Sequence, residues 1–298
     1  MHALPFAVAL VAAALMAPLL LRTLAGAGHT HSNYRGRELP FPFGVLVLAA
    51  AALALIPLTL LERLGSVGPF SESLIPISIY AFGVLALGLV DDTLPLRGNR
   101  ALAGDTREDA PRGEYPRGLR GHCAALLGGQ LSTGVLKAFG TLGLALFATD
   151  LDGLGLNLGT SKTRWLLAAA VLVLATHVFN LLDLRPGRAT KAFVLLGGAL
   201  AIGAADVRPL WALGLFVGPA LVAGAYDLRE QAMLGDTGAN LLGALAGFWL
   251  IQTLSDTGQL VALALLALIT VYGEFRSISE LIERTPGLRQ LDSWGRPA

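Results

Sequence analysis

Nine stretches of this chain are too long and too apolar to be surface elements of a water-soluble fold. They run over about 3–21, 41–61, 74–90, 130–149, 164–183, 191–205, 209–226, 238–254 and 259–275. A helix that crosses a bilayer needs roughly 20 mostly apolar residues, and its backbone N–H and C=O groups must be satisfied within the segment because no water is there to do it. The sixth stretch is short, and 191–226 also reads as one broken hairpin. Only 14% of the 298 residues are charged, where a soluble domain carries about 25%. These constraints predict an all-α polytopic integral membrane protein of nine or ten transmembrane helices. The helical domain covers 1–275, with a loop over about 93–123, and an amphipathic tail covers 276–298. The leading segment reads as a first span rather than a leader peptide, since "MHALPF" has no Lys or Arg and no small-residue cleavage site precedes Arg22.

The basic residues divide unevenly between alternate loops. One set holds seventeen of the 22, at positions 22, 35, 37, six between 97 and 120, then 185, 188, 191, 229, 276, 284, 289 and 296. The other holds Arg63, Lys162, Arg164 and Arg208, and Lys137 lies within a span. Lys and Arg accumulate in cytoplasmic loops, so the split predicts a plasma-membrane protein with its amino terminus outside and its carboxyl terminus in the cytoplasm. A net charge of +1 gives no general attraction for nucleic acid. The single cysteine, Cys123, excludes an internal disulfide.

With the helices alternating in this way, four carboxylates emerge on the cytoplasmic side. Asp91 and Asp92 close "LALGLVDD", Asp183 closes "HVFNLLD", and Asp236 opens a span in "MLGDTGAN". A helix C-terminus disfavours negative charge, so adjacent acids there call for a cation. Asn180 and Asp183, three apart, share a helix face. Arg185, Arg188 and Lys191 follow, and a carboxylate beside such a basic cluster can hold a diphosphate. The plain alternatives are solvated helix ends for the acids, a helix cap for Asp236, and topology determinants for the basic residues. Lys137 is an ionisable residue within a span and hence a functional candidate, with snorkelling to the interface as the alternative. His177 reads as a packed helix-facing residue, and His29 and His31 form only a weak metal-like pair.

With these residues in place, the chain resembles the polyprenyl-phosphate N-acetylhexosamine-1-phosphate transferases, the superfamily that includes phospho-N-acetylmuramoyl-pentapeptide transferase. The resemblance covers about 35–250. "GLVDD" looks like the family's Asp-Asp motif, "FNLLD" like its Asn-x-x-Asp element, and "MLGDTGAN" like its Gly-Asp-x-Gly-Ser/Ala element. Lys137 in "STGVLKAFG" looks like the family lysine after the long loop, and "YRGRELPFPFG" stands where the family has its first cytoplasmic loop. The resemblance implies transfer of a sugar-1-phosphate from a UDP-sugar to a polyprenyl phosphate, with Mg2+ as cofactor and release of UMP, in cell-envelope glycan synthesis. It implies Asp91, Asp92, Asp183 and Lys137 as catalytic, Asn180 as substrate-binding, and Asp236 and Asp92 as metal ligands, while Arg185, Arg188 and Lys191 are substrate-binding candidates from their charge beside Asp183. A homodimer is one allowed assembly. Two departures stand out: Pro186 occupies the place of the family's second Asp after Asn-x-x-Asp, and the tail has no histidine. They leave room for a family-derived membrane binding or regulatory protein without chemistry. A transporter is the third class, and it has only Lys137 as a mid-span ionisable residue.

Overall fold

The computed structural model describes residues 3–65, 68–94, 132–151 and 161–297. Most of the loop expected over 93–123, together with Cys123, lies outside the described residues. The chain opens with α1 (Leu4–Gly26), a hairpin of β1 (Thr30–Ser32) and β2 (Glu38–Pro40), α2 (Val45–Gly65) and α3 (Leu74–Thr93). It continues with α4 (Thr133–Asp150), α5 (Lys162–Leu182), α6 (Arg188–Ala204), the short α7 (Arg208–Ala212), α8 (Gly214–Leu228), α9 (Gly235–Thr253) and α10 (Asp256–Phe275). The tail forms α11 (Ile278–Arg284) and α12 (Pro286–Ser293).

Among the described residues, five helices are long and apolar enough to cross a membrane, namely α1, α2, α3, α5 and α10. The four other long helices, α4, α6, α8 and α9, coincide with the remaining apolar stretches of the sequence. The seventh stretch is split: α7 ends at Ala212 and α8 starts at Gly214, with Leu213 between them outside both helices. Side-chain placement is that of a protein whose solvent is apolar. In α1 the small residues Ala9, Ala13 and Ala17 face inward at 0% exposure, while Val11, Leu15 and Leu19 face outward at 56–69%. Helices in lipid gain from close contact between small residues rather than from burying large ones. The same outward Leu and Val surface in water would be an aggregation patch.

The core is built around α9, which packs on α3, α5 and α6. Its Gly243 and Gly247 lie against α5, where a Cβ at Gly243 would stand 2.5 Å from the Thr176 Cα. The small-x-x-x-small spacing therefore sets how closely the two backbones approach. A second tie joins three helices. Tyr80 of α3 exchanges a 2.9 Å hydrogen bond with Thr176 of α5, and its ring meets Phe248 of α9 edge-on at 5.6 Å. Buried hydroxyls need such a partner. These contacts fix the mutual heights of α3, α5 and α9, and so decide which of their terminal residues meet.

Candidate functional site

Asp91 and Asp92 end α3, Asp236 lies in the first turn of α9, and Lys137 lies in the second turn of α4. The Lys137 ammonium donates to Asp91 Oδ2 at 2.7 Å and forms a direct ion pair with Asp236 Oδ2. The three side chains are 19%, 23% and 31% exposed in the order Lys137, Asp91, Asp236, so the cluster is sheltered but open on one side. The two carboxylates share this one ammonium. Carboxylates that close repel unless a proton or cation lies against both, and Lys137 supplies the cation. It does not snorkel away from the bundle.

Asp92 has a different occupation. Its Oδ1 accepts the Asp236 N–H at 3.0 Å, and its Oδ2 accepts the Thr237 N–H at 2.8 Å and the Thr237 hydroxyl at 2.5 Å. α9 has no side-chain cap of its own. The first amides of a helix are orphaned and carry partial positive charge, so a carboxylate is their best acceptor; Asp92 provides it from another helix. The residue before Asp236 must then be glycine: Gly235 has φ +75°, and a Cβ there would stand 2.7 Å from Asp92 Oδ2 and 2.8 Å from the Phe41 ring.

The β1–β2 hairpin walls this end of the bundle. Its exit strand continues into backbone bonds with the turn before α9: Met233 N–H to Pro40 O at 2.9 Å, Phe43 N–H to Met233 O at 2.8 Å and Gly44 N–H to Leu234 O at 2.9 Å. Beneath it lies Glu230, whose side chain is 0% exposed. Tyr34 donates its hydroxyl to Glu230 at 3.1 Å, and the guanidinium groups of Arg35 and Arg37 pair with it at 3.4 and 3.5 Å.

Asp183 caps the C-terminus of α5. It opens the turn to α6, whose Gly187 N–H is held by Asp227, the acid that also accepts the Leu234 N–H just before α9. The Asn180 amide nitrogen, one turn earlier, is buried with no hydrogen-bond partner among the described residues, as is that of Asn240, one turn beyond Asp236. Buried donors are rarely left unpaired. His177 lies within α5 and is half-buried.

The three basic residues expected to contact substrate are engaged by the tail instead. Arg185 pairs with Glu283 at 3.0 Å and stacks over the Tyr34 ring at 4.3 Å. Arg188 is bound in a fork by Asp292 at 2.8 and 3.0 Å. Lys191 donates to the carbonyls of Leu291 and Trp294, each at 3.1 Å, and touches that of Asp292. Their partners lie about a hundred residues downstream, which no local spacing signals.

Asp227, not among the candidates taken from the sequence, closes an apolar run just as Asp183 does. It is 5% exposed and accepts the N–H of Gly187 at 2.7 Å and of Leu234 at 3.3 Å. An acid ending a span was the available signal.

Among the described residues, no group of three or more His, Cys, Asp or Glu side chains is arranged to hold a metal ion. Asp236 and Asp91 nevertheless fit magnesium, which takes one or two protein carboxylates and completes its shell with water and phosphate oxygens. Asp92 fits it less well, with both oxygens accepting from the α9 amides. Comparison of the chain with protein-family models and with curated proteins finds no match.

Proposed function

We propose that this membrane protein transfers a sugar-1-phosphate from a UDP-sugar to a polyprenyl phosphate. The observation that carries the reading is the gathering of Asp91, Asp236 and Lys137, from three helices, at one sheltered end of an apolar bundle. A lipid-borne phosphate has to react at the bilayer surface, and helix ends are where polar groups can meet it. In the reaction, an oxygen of the carrier phosphate attacks the β-phosphorus of the nucleotide sugar, the bond to the bridging oxygen breaks, and UMP leaves. Such a step needs positioning and charge neutralisation more than covalent help.

The roles follow from the surroundings of each group. Asp91, paired with Lys137, receives and orients the carrier phosphate. Lys137 offsets phosphate charge while bridging the two acids. Asn180, with its unpaired amide donor, and Asp183 orient the nucleotide sugar. Asp92 holds the N-terminus of α9 in place by accepting its first amides, and so fixes where Asp236 stands. Asp236, with Asp91 beside it, would hold Mg2+, which when bound neutralises the diphosphate. The distribution of Lys and Arg supports a cytoplasmic setting for this end.

The test is turnover. Protein purified in detergent and supplied with UDP-sugars, Mg2+ and undecaprenyl phosphate releases UMP and a lipid-linked product. No UMP with any common UDP-sugar rejects the reading. One observation favours a second reading, a binding or regulatory protein without chemistry: Arg188 and Lys191 are committed to the tail rather than to an open site. That reading predicts nucleotide-sugar binding that persists in Asp236→Asn without UMP release in the parent protein.

A further inference from the structure

The turn 183–188 leads from α5 into α6 and carries Asp183 at its start. It is gripped from two sides. From α8, Asp227 accepts the Gly187 N–H at 2.7 Å. From the tail, Arg296 donates through Nε to the Pro186 carbonyl at 2.8 Å, and Asp292 binds the Arg188 guanidinium. Asp292 sits between two forks, since Arg296 also holds it at 2.8 and 3.1 Å.

These are not surface ion pairs. The side chains of Arg188, Arg296 and Asp292 are 5%, 10% and 11% exposed. An exposed pair contributes little, but charges withdrawn from water must be paired and hydrogen-bonded, and breaking one such pair leaves its partner stranded. The ion pairs run Arg188–Asp292–Arg296, with the Asp292 carboxylate shared by two guanidinium groups. The tail thus supplies the carboxylate that pairs with Arg188 and the guanidinium that holds the Pro186 carbonyl.

We infer that the carboxyl-terminal tail braces the candidate site, with Asp292, Arg296 and Asp227 as positioning residues for the turn that presents Asp183. This rests on Asp183 belonging to the site proposed above. None of the three touches the reacting groups; they act through the backbone of the turn and through Arg188.

Two readouts on the full-length protein in detergent test this. The first is hydrogen exchange of the turn, which does not depend on any reaction. D292N and R296Q each raise exchange of the 183–191 segment at least tenfold, D292E keeps it within threefold of the parent, and the distant α1–α2 segment does not change. The second is UMP release, where D292N lowers kcat at least tenfold, leaves KM for the UDP-sugar within threefold, and D292E restores most of it. Turn exchange within twofold of the parent in both D292N and R296Q overturns the brace. Faster exchange with unchanged turnover overturns its connection to the site. A parent protein that releases no UMP rejects the transferase reading and, with it, any service of the turn to catalysis, while the exchange data still decide whether the tail holds the turn.

Discussion

Lys137 and Asp236 are 99 residues apart in the chain and form a direct ion pair, with Asp91 against the same ammonium at 2.7 Å. One lysine therefore holds together the ends of α3, α4 and α9. Replacing it by methionine leaves two carboxylates without their shared cation. Lys137→Met is expected to cost about 3 kcal/mol of stability and to lower UMP release by about a hundredfold or more. Thermal unfolding in detergent and the turnover assay read the two effects separately.

The cap that Asp92 supplies to α9 can be weakened from either side. Asp92→Asn keeps the shape but loses the charged acceptor, at about 1–2 kcal/mol. Gly235→Ala forces a side chain into a left-handed backbone and onto Asp92, at about 2–3 kcal/mol. Both substitutions lower the melting temperature, the second by more. Equal and negligible shifts reject the cap.

Glu230 is the anchor of the hairpin. Glu230→Gln removes the charge that holds Arg35 and Arg37, and is expected to weaken docking by about 2 kcal/mol. Trypsin then cleaves after Arg35 or Arg37 faster than in the parent. The cleavage pattern on a gel checks it.

Tail docking is pH-dependent in a direction set by Asp292. Burial raises its carboxyl, but the hydrogen bonds and charges of Arg188 and Arg296 outweigh this and hold it at about 2, against an ordinary 3.8. A group with a lowered folded-state value stabilises fully above its unfolded value and loses that contribution as pH falls through the folded one. The tail should stay docked above about pH 4 and release between about pH 4 and pH 2. Pepsin, active throughout that range, would then cut near Leu288 and Leu291 only at the acid end.

Much of this architecture was legible in the chain. Apolar runs of membrane-crossing length announce helices because lipid allows little else, and α2 or α5 begins within a few residues of where its run does. The convergence of Asp91, Asp236 and Lys137 was legible as well, since acids at span ends on one side have few places to go. Distant pairings were not legible. Arg185, Arg188 and Lys191 read as an anion cluster from their spacing, yet Glu283, Asp292 and the carbonyls of the last turn had already claimed them. The hairpin was hidden for a related reason: three-residue strands carry almost no periodic signal, and what fixes them is Glu230, nearly 200 residues away. The break between α7 and α8 likewise interrupts a run whose hydropathy is continuous.

The bridge from Asp92 to the first amides of α9 has a mechanical consequence. A carrier that moves solute through itself must let its helices part at each mouth in turn. Here α3 and α9 are riveted at one mouth by three hydrogen bonds to a single carboxylate, and parting them would strand both an acid and a helix terminus. At that end α3 and α9 therefore move as one unit.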